Sequence, residues 1–445
     1  MMTVYNLLMA VVVVLALPVA AVVTLFSEKR RKTLLHRMGL LPMPGPKPAA
    51  GSRPVWVHAL SVGEVRSAFP LVQALRRDHP RQEMVFSAST HTGFKTACGL
   101  MQALAVRVVY FPYDLPGSVR RAAARIDPAL VIIVETDIWP NFLHVMAQRQ
   151  VPVVLANGRL SDRSFAGYRR LAGWSRALFA GFRAVCVQTE ADARRFQRLG
   201  LAPERIHVTG NLKFDQPVLP PGAAQVRTLG RSLGLCPDCP VLVAGSTHKG
   251  EEAILARALA RIQADLPQMV LIVAPRDPGR AGEICRTFSG AGFSAVRLSQ
   301  RGKKTDDPEP DVLVVDTMGT LGRLYALADV AFVGGSLVSC GGHNPLEPAA
   351  LAKPVLFGPD MSDFKAIARL LTETGGGRRV KDMAELTEAA RSLLARPETA
   401  KQMGDRARFA FEAHQGATAR TLAVVSRIMT PARVAGGNPG WGGCP

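Results

Sequence analysis

Short, uninterrupted apolar runs recur along this chain, each pair separated by enough residues for a helix. That pattern restricts the fold more than any single motif. Residues 55–60, 84–87, 106–111, 129–134, 151–155, 184–188 and 206–208 form a first series, and 241–244, 270–274, 312–315, 330–333 and 355–357 a second. Runs without alternation are what parallel strands buried on both faces produce, and parallel neighbours need long, usually helical crossovers. Between the two series, residues 213–234 hold Pro217, Pro220, Pro221 and Gly222 and no convincing element of their own, so they read as the domain boundary. The expected fold class is α/β, two doubly wound domains with a cleft between them. Residues 400–429 read as a long helical stretch able to pack back across the hinge.

The amino-terminal stretch bears on location. From Thr3 to Phe26 there is no charged residue, and a helix rising about 1.5 Å per residue would cross a ~30 Å hydrocarbon core over that length. Lys29, Arg30, Arg31 and Lys32 follow at once, then Arg37. The positive-inside rule places the bulk of the chain in the cytoplasm, anchored by a single span. Ala16-Leu17-Pro18 and Ala20-Ala21 offer small residues for signal-peptide cleavage. The run is long for that, however, and no basic region precedes it, so an uncleaved anchor is expected. The domain reading is an anchor with basic flank over 1–32, a surface-lying linker over 33–53, a first domain over 54–215, a hinge over 216–234, a second domain with a carboxyl-terminal helix over 235–429, and a disordered tail over 430–445.

With 48% apolar and only 20% charged residues, the composition excludes a disordered chain. The formal charge of +20 calls for an anionic partner, either nucleic acid or a membrane surface and its lipids. Seven scattered cysteines, an odd number, read as thiols of a reducing compartment. Cys236 and Cys239 are the one close pair. With no second pair at zinc spacing and a proline between them, no metal or redox role is expected there.

In open α/β sheets the functional loops lie at the carboxyl ends of strands. After the run at 55–60 comes Ser61-Val62-Gly63-Glu64, where Glu64 can take a proton from a substrate hydroxyl or simply complement a helix dipole. After 129–134 come Glu135 and Asp137, two carboxylates that could hold a divalent metal. Asp137 could equally cap the next helix, and no other acidic cluster completes a metal site. Arg163, Tyr168, Arg169, Arg170, Trp174 and Arg176, with Phe165, Leu171, Leu178 and Phe179 among them, make a basic, aromatic stretch that suits an anionic bilayer or a solvated helix face. Lys213 offers a point charge for a phosphate or carboxylate. In the second series, residues 245–250 (G-S-T-H-K-G) resemble a phosphate loop without the spacing of an ATP-hydrolysing one. Pro275-Arg276 supplies a phosphate fork, and Gly319, beside Met318 and Thr320, permits close backbone approach.

Residues 331–350 (A-F-V-G-G-S-L-V-S-C-G-G-H-N-P-L-E-P-A-A) combine a strand, two glycine pairs and a helix start. Asn344 suits the N-cap, Pro345 the first helical position, and Glu347 can reach back to the cap N–H. Together they offer an anion unpaired N–H groups and a partial positive charge. Glu347 could instead bind ribose hydroxyls, and the two uses compete for one carboxylate.

The ordered set S-V-G-E (61–64), N-G-R-L-S-D-R-S-F (157–165), G-N-L-K-F-D (210–215), A-G-S-T-H (244–248), A-P-R (274–276), D-T-M-G (316–319) and G-G-H-N-P-L-E-P-A-A (341–350) resembles the Kdo transferase family. These are 3-deoxy-D-manno-octulosonic acid transferases that glycosylate lipid A precursors. The match runs from the apolar amino-terminal segment to about residue 425. The resemblance implies a GT-B glycosyltransferase, two Rossmann-like domains facing a cleft, with the acceptor in the first and CMP-Kdo in the second. It implies Glu64 as the general base of an inverting transfer, and Glu135 and Lys213 as groups stabilising the transition state. CMP-binding segments are implied at Pro275-Arg276, Met318-Gly319-Thr320 and Asn344-Pro345-Leu346-Glu347. No metal and no other cofactor is implied. The partners implied are CMP-Kdo, a lipid A precursor (lipid IVA) and the inner membrane, not nucleic acid. The chain departs from the family pattern at Thr320, where Glu is common, at Asp277, where His is usual, and at Asn157-Gly158-Arg159, in place of N-A-R. Alternative readings are a GT-B membrane-lipid transferase using a UDP-sugar, and a non-catalytic membrane-tethered binder of anionic lipid.

Overall fold

The computed structural model describes residues 2–41, 53–218, 220–301 and 309–429, and the side chains of 17, 19–25 and 28–32 lie outside that description. The expected tail at 430–445 and most of the expected linker at 33–53 therefore lie outside the described residues. The chain divides into two compact units, Met1–Gln216 with Gln415–Pro445, and Pro217–His414.

The first unit holds strands β1 (Val55–Ala59), β2 (Met84–Ala88), β3 (Arg107–Tyr110), β4 (Leu130–Val134), β5 (Val153–Gly158), β6 (Ala184–Val187) and β7 (Ile206–Val208). They form one sheet in the order β3-β2-β1-β4-β5-β6-β7, and every neighbouring pair is parallel. The direction of winding reverses between β1 and β4. Strand pleating sends Val55, Val57 and Ala59 into one face and Trp56 into the other. On the first face lies the helix Val62–Asp78, whose Val65, Ala68, Leu71 and Val72 recur at helical spacing and are fully buried.

That face is completed from the far end of the chain. The helix Ala417–Met429 buries Ala417, Leu422, Val424 and Val425 in the same core. Asp215 accepts hydrogen bonds from Gly416 N (2.7 Å) and Thr418 N, and Arg420 Nε donates to Thr209 O at 2.8 Å. The last helix, expected from its position in the chain to belong to the second domain, is thus part of the first unit. The reason is an apolar face that the first sheet lacks a local element to match.

The second unit holds β8 (Val241–Thr247), β9 (Val270–Pro275), β10 (Ala295–Arg297), β11 (Val312–Val314), β12 (Val330–Val333), β13 (Val355–Phe357) and β14 (Gly377–Arg379). Their order is β10-β11-β9-β8-β12-β13-β14, again all parallel, with the reversal between β8 and β12. The proline-rich boundary is not empty, because the helix Ala223–Ser232 begins right after Pro220-Pro221-Gly222. Gly222 N donates to Gln225 Oε1 at 3.0 Å, so the prolines precede a capped helix and do not interrupt one. Cys236 and Cys239 are joined as a disulfide, in place of the thiols expected from the sequence.

At the amino terminus, residues Met2–Phe26 form one helix and Glu28–Arg37 a second. Among the described residues no helix is long and apolar enough to cross a membrane, so the expected anchor is not shown. Tyr5 Oη donates to Asp114 at 3.0 Å, which lays the start of that helix against the first unit. The described start of the expected surface linker is also held in place. Arg37 Nε donates to Phe111 O at 3.0 Å, and Arg121 Nε and Arg125 Nη1 donate to Met38 O and Leu41 O.

Candidate functional site

Ligands of open parallel sheets bind beyond the carboxyl ends of the strands where the winding reverses. In the first unit that point lies beyond β1 and β4, and Glu64 and Glu135 follow those two strands. Ser61 is the N-cap of Val62–Asp78 but makes no side-chain capping bond. The Glu64 carboxylate does so instead, with Leu60 N donating to Oε2 and Ser61 Oγ to Oε1 at 3.4 Å. Burial, the negative charge of Glu135 and that of Asp137 push the Glu64 carboxyl up to about 8, against the opposing pull of the Leu60 N–H. A group so tuned gives up and regains its proton around pH 8, within the range where a general base for a hydroxyl can work.

Glu135 has a left-handed backbone, φ +60°, a conformation that costs a non-glycine residue roughly 1–3 kcal/mol and gathers at functional sites. Its Oε1 lies 3.0 Å from Lys213 Nζ. Asn157, also left-handed at φ +57°, donates from Nδ2 to the same Oε1 at 3.5 Å and accepts from Leu212 N at 3.0 Å. One buried amide therefore fixes the turn carrying Lys213 relative to Glu135. Asp137 takes a bond of 3.0 Å from Nε2 of buried His58, whose Nδ1 meets Ser87 Oγ at 3.0 Å and whose ring stacks on Phe111 at 3.7 Å. His58 was not singled out from the sequence. It sits inside an apolar strand, and its partner lies on another strand's loop.

Glu135 and Asp137 thus turn to different partners, Lys213 and His58, not to a shared point where an ion could bind both. Among the described residues, the group of potential metal ligands is Cys236, Cys239 and Glu309, two of them spent in the disulfide. The aromatic residues at 165–179 pack inward. Phe165, Tyr168 and Trp174 lie against the first unit's core, with Tyr168 edge-on to Phe179 at 5.1 Å, while Arg163, Arg169, Arg170 and Arg176 stay exposed.

In the second unit the reversal lies beyond β8 and β12, which lead into His248 and into Gly334-Gly335. The free N–H groups expected after β12 are taken by the protein itself. The buried carboxylate of Glu251 accepts from His248 N (2.9 Å), Gly335 N (2.7 Å), Ser336 N (3.1 Å) and Leu337 N (3.0 Å). Glu251 was also missed from the sequence, where it reads as an ordinary acidic residue in a first turn.

Beside this loop, His248 Nε2 and His343 Nε2 are 2.8 Å apart, with ring centroids 5.1 Å apart and the planes within 10°, so the rings meet end to end in nearly one plane. Gly335 has φ +68°, and a Cβ there would lie 3.1 Å from the His343 ring and 3.3 Å from that of His248. Only glycine meets both conditions. Burial, then the Arg276 charge and that of His248, pull the His343 imidazole down to about 4.

The other expected nucleotide residues fall as follows. Pro275 closes β9, and Arg276 N donates to Thr247 O at 3.0 Å, its side chain exposed. Asp277 accepts from Gly279 N at 3.0 Å and caps the turn Pro278–Arg280. Thr320 Oγ1 donates to Thr317 O at 3.3 Å, within a loop that exposes Met318 and holds Gly319 at φ +83°. Asn344 Oδ1 accepts from Leu346 N at 3.2 Å. The helix itself, however, begins at Leu346 and ends at Ala350, later and far shorter than its opening residues imply. A single turn has little dipole, so the anion-ready helix start expected here is not what the structure offers. The Glu347 charge reaches the buried Tyr325, whose hydroxyl is held well above its usual range by burial and then by that carboxylate.

A family model described as 3-Deoxy-D-manno-octulosonic-acid transferase (kdotransferase) matches residues 32–216. A 3-deoxy-D-manno-octulosonic acid transferase from Bordetella pertussis is 37% identical over 390 residues, covering 84% of this chain and 87% of its own. One from Haemophilus influenzae is 33% identical over 400 residues, covering 89% and 91%. Among solved structures, UDP-GlcNAc 2-epimerase from Neisseria meningitidis bound to UDP-GlcNAc has a TM-score of 0.58 at 12% identity, covering 84% of this chain and 99% of that one. A glycosyltransferase from Rickettsia africae has a TM-score of 0.57 at 9% identity, covering 86% and 100%. The structural neighbours show the fold alone, which is GT-B-like.

Proposed function

The chain belongs to the 3-deoxy-D-manno-octulosonic acid transferases, and from that premise we propose that it moves Kdo from CMP-Kdo to a phosphorylated lipid A precursor such as lipid IVA. The class of activity, glycosyl transfer by an enzyme, comes with the family. The transfer proceeds with inversion and without a metal. Glu64 takes the proton of an acceptor hydroxyl as its oxygen bonds to the anomeric carbon. The bond from that carbon to the CMP phosphate breaks, and its electron pair leaves on the phosphate. Glu135 and Lys213 hold the charge balance around the base.

The observation that carries this reading is the raised, half-buried Glu64 carboxyl beyond β1, flanked by Glu135 and Asp137. A structural capping residue gains nothing from being held near neutrality, whereas a base for a sugar hydroxyl does. The pairing of Glu135 with Lys213 and of Asp137 with His58 supports metal independence. Donor binding is assigned to the loops holding Pro275-Arg276, Met318-Gly319-Thr320 and Asn344–Glu347.

The test is transfer from CMP-Kdo to a defined precursor, followed by product mass and by CMP release. We expect Glu64→Ala to lose transfer by roughly two to four orders of magnitude while still binding CMP. Wild-type turnover in that variant sinks the mechanism, and release of UDP from a UDP-sugar with no use of CMP-Kdo sinks the donor assignment.

We further propose that the helix Met2–Phe26 inserts in the inner membrane with the catalytic units on the cytoplasmic side. Its support is an uncharged length of about 37 Å, large exposed apolar side chains at Val4, Leu7, Leu8, Val11, Val12, Val14 and Leu15, and the basic residues that follow. Insertion requires the Tyr5–Asp114 bond to open, so Tyr5→Phe leaves membrane recovery unchanged. If a chain lacking residues 1–26 sediments with membranes as fully as the complete one, the anchor is not this helix.

A further inference from the structure

The residues assigned to catalysis and to the nucleotide leave two histidines unused, His248 after β8 and His343 in the loop after β12. Two imidazoles whose Nε2 atoms lie 2.8 Å apart must have a proton between them, one ring donating and the other accepting. Such a neutral pair presents one bare Nδ1 and one Nδ1–H outward. One added proton makes it an imidazole–imidazolium pair with an outward N–H at both ends, a donor set for an anion.

The surroundings favour the neutral form until an anion arrives. Arg276 lies on the loop after β9 and bears on His343 as a like charge, and Lys249 adjoins His248 in sequence. The carboxylate of Glu251, which accepts from His248 N, is saturated by four backbone N–H groups and makes no contact with either imidazole ring. On the segment packed at Gly341, Asp360 accepts from Gly341 N at 2.8 Å and from Ser362 N at 3.2 Å, and the Asp363 carboxylate lies beside the same glycine. Gly335, with no Cβ, lets both rings stand side by side against the backbone.

We propose that His248 and His343 act as one proton-sharing contact to the phosphate of the CMP-bearing donor, taking a proton from water as the phosphate arrives and releasing it when CMP leaves. The inference rests on the donor reading above. The chemistry rewards such a pair, because the donor phosphate carries one negative charge as a diester and CMP carries two as a monoester. An imidazolium at that phosphate is therefore worth more as the sugar bond breaks than before it.

The test is calorimetric titration of the full chain with CMP at pH 7.5, in two buffers of different ionisation enthalpy, for wild type, His248→Gln and His343→Gln. We expect wild type to take up close to one proton more per CMP bound than either variant. CMP affinity in the variants should fall several-fold at pH 6.5 and little at pH 8.5. Equal uptake in all three proteins overturns the pair. Free Kdo, which offers a carboxylate and no phosphate, should give no such uptake, and uptake with Kdo but not with CMP overturns the phosphate assignment. If a variant does not fold, imidazole nitrogen spectra of the wild type serve. The His248 and His343 signals should move toward imidazolium on adding CMP, and unchanged signals in a CMP-bound protein overturn the inference. A wild type that binds no CMP brings down the donor reading first, which separates the two failures.

Discussion

Lys213 Nζ lies 3.0 Å from Glu135 Oε1, both groups largely withdrawn from solvent at 16% and 19% exposure. That ion pair governs how much negative charge Glu64 feels, because Glu135 is the strongest of the charges raising the Glu64 carboxyl. The pair thus acts on the Glu64 carboxyl through an electrostatic balance.

The pH profile follows from it. A base must be unprotonated, so kcat/KM is expected to rise with pH through about 8, the value to which Glu64 is raised. Removing the neighbouring charge in Glu135→Gln should move this limb to lower pH. Lys213→Met, which leaves Glu135 unbalanced, should move it higher, and both variants should also lower the plateau. A limb that stays in place in both variants would show that another group titrates. The same shift has a stability counterpart. Glu64 binds its proton more tightly folded than unfolded, so its favourable contribution is complete below an unfolded pKa near 4.5 and is lost as pH rises through about 8. In Glu64→Gln that part of the stability profile should flatten.

Glu251→Ala is expected to destabilise the second unit by on the order of 3 kcal/mol, because four backbone donors lose one buried acceptor. Glu251→Gln should fall between, since its amide keeps one accepting oxygen. Thermal melting followed by a second-unit probe measures both, and an unchanged melting point in the alanine variant counts against the role given to this carboxylate.

Deleting the residues after His414 should weaken the first unit and spare the second. Leu422, Val424 and Val425 are at most 8% exposed, and each buried Leu or Val contributes roughly 1.5–3 kcal/mol. Limited proteolysis of the truncated chain is expected to cut within residues 54–216 while CMP binding persists. Faster cutting confined to residues 217–414 would contradict the packing described.

Transfer should continue in excess EDTA. Loss of activity on chelation, restored by a divalent ion, would refute the metal-free reading and reopen Glu135 and Asp137 as ligands.

Twelve of the strands were visible in the sequence as apolar runs such as 130–134 and 270–274, because strands buried on both faces leave no polar alternation. Ala295–Arg297 and Gly377–Arg379 were not. Each is an edge strand of three residues carrying arginine, so its strand character comes from its neighbour and not from its own pattern. The residues of the site near a strand end, Glu64, Glu135 and Arg276, were legible by position. His58 and Glu251 were not, because their meaning depends on Asp137 and on Gly335 to Leu337, partners far away in sequence. The short helix Leu346–Ala350 misled in the opposite sense, its opening residues advertising a longer element than they begin.

The helix Ala417–Met429 has a consequence for synthesis. A ribosome delivers residues 217–414 before it delivers the segment that finishes the first sheet's apolar face. The second unit can therefore close on its own while the earlier one waits, with Val65, Leu71 and Val72 incompletely covered. A nascent chain stalled after the second unit has emerged should bind chaperones through residues 54–216, the expected sign of a folding order that runs against the usual amino-terminal-first sequence.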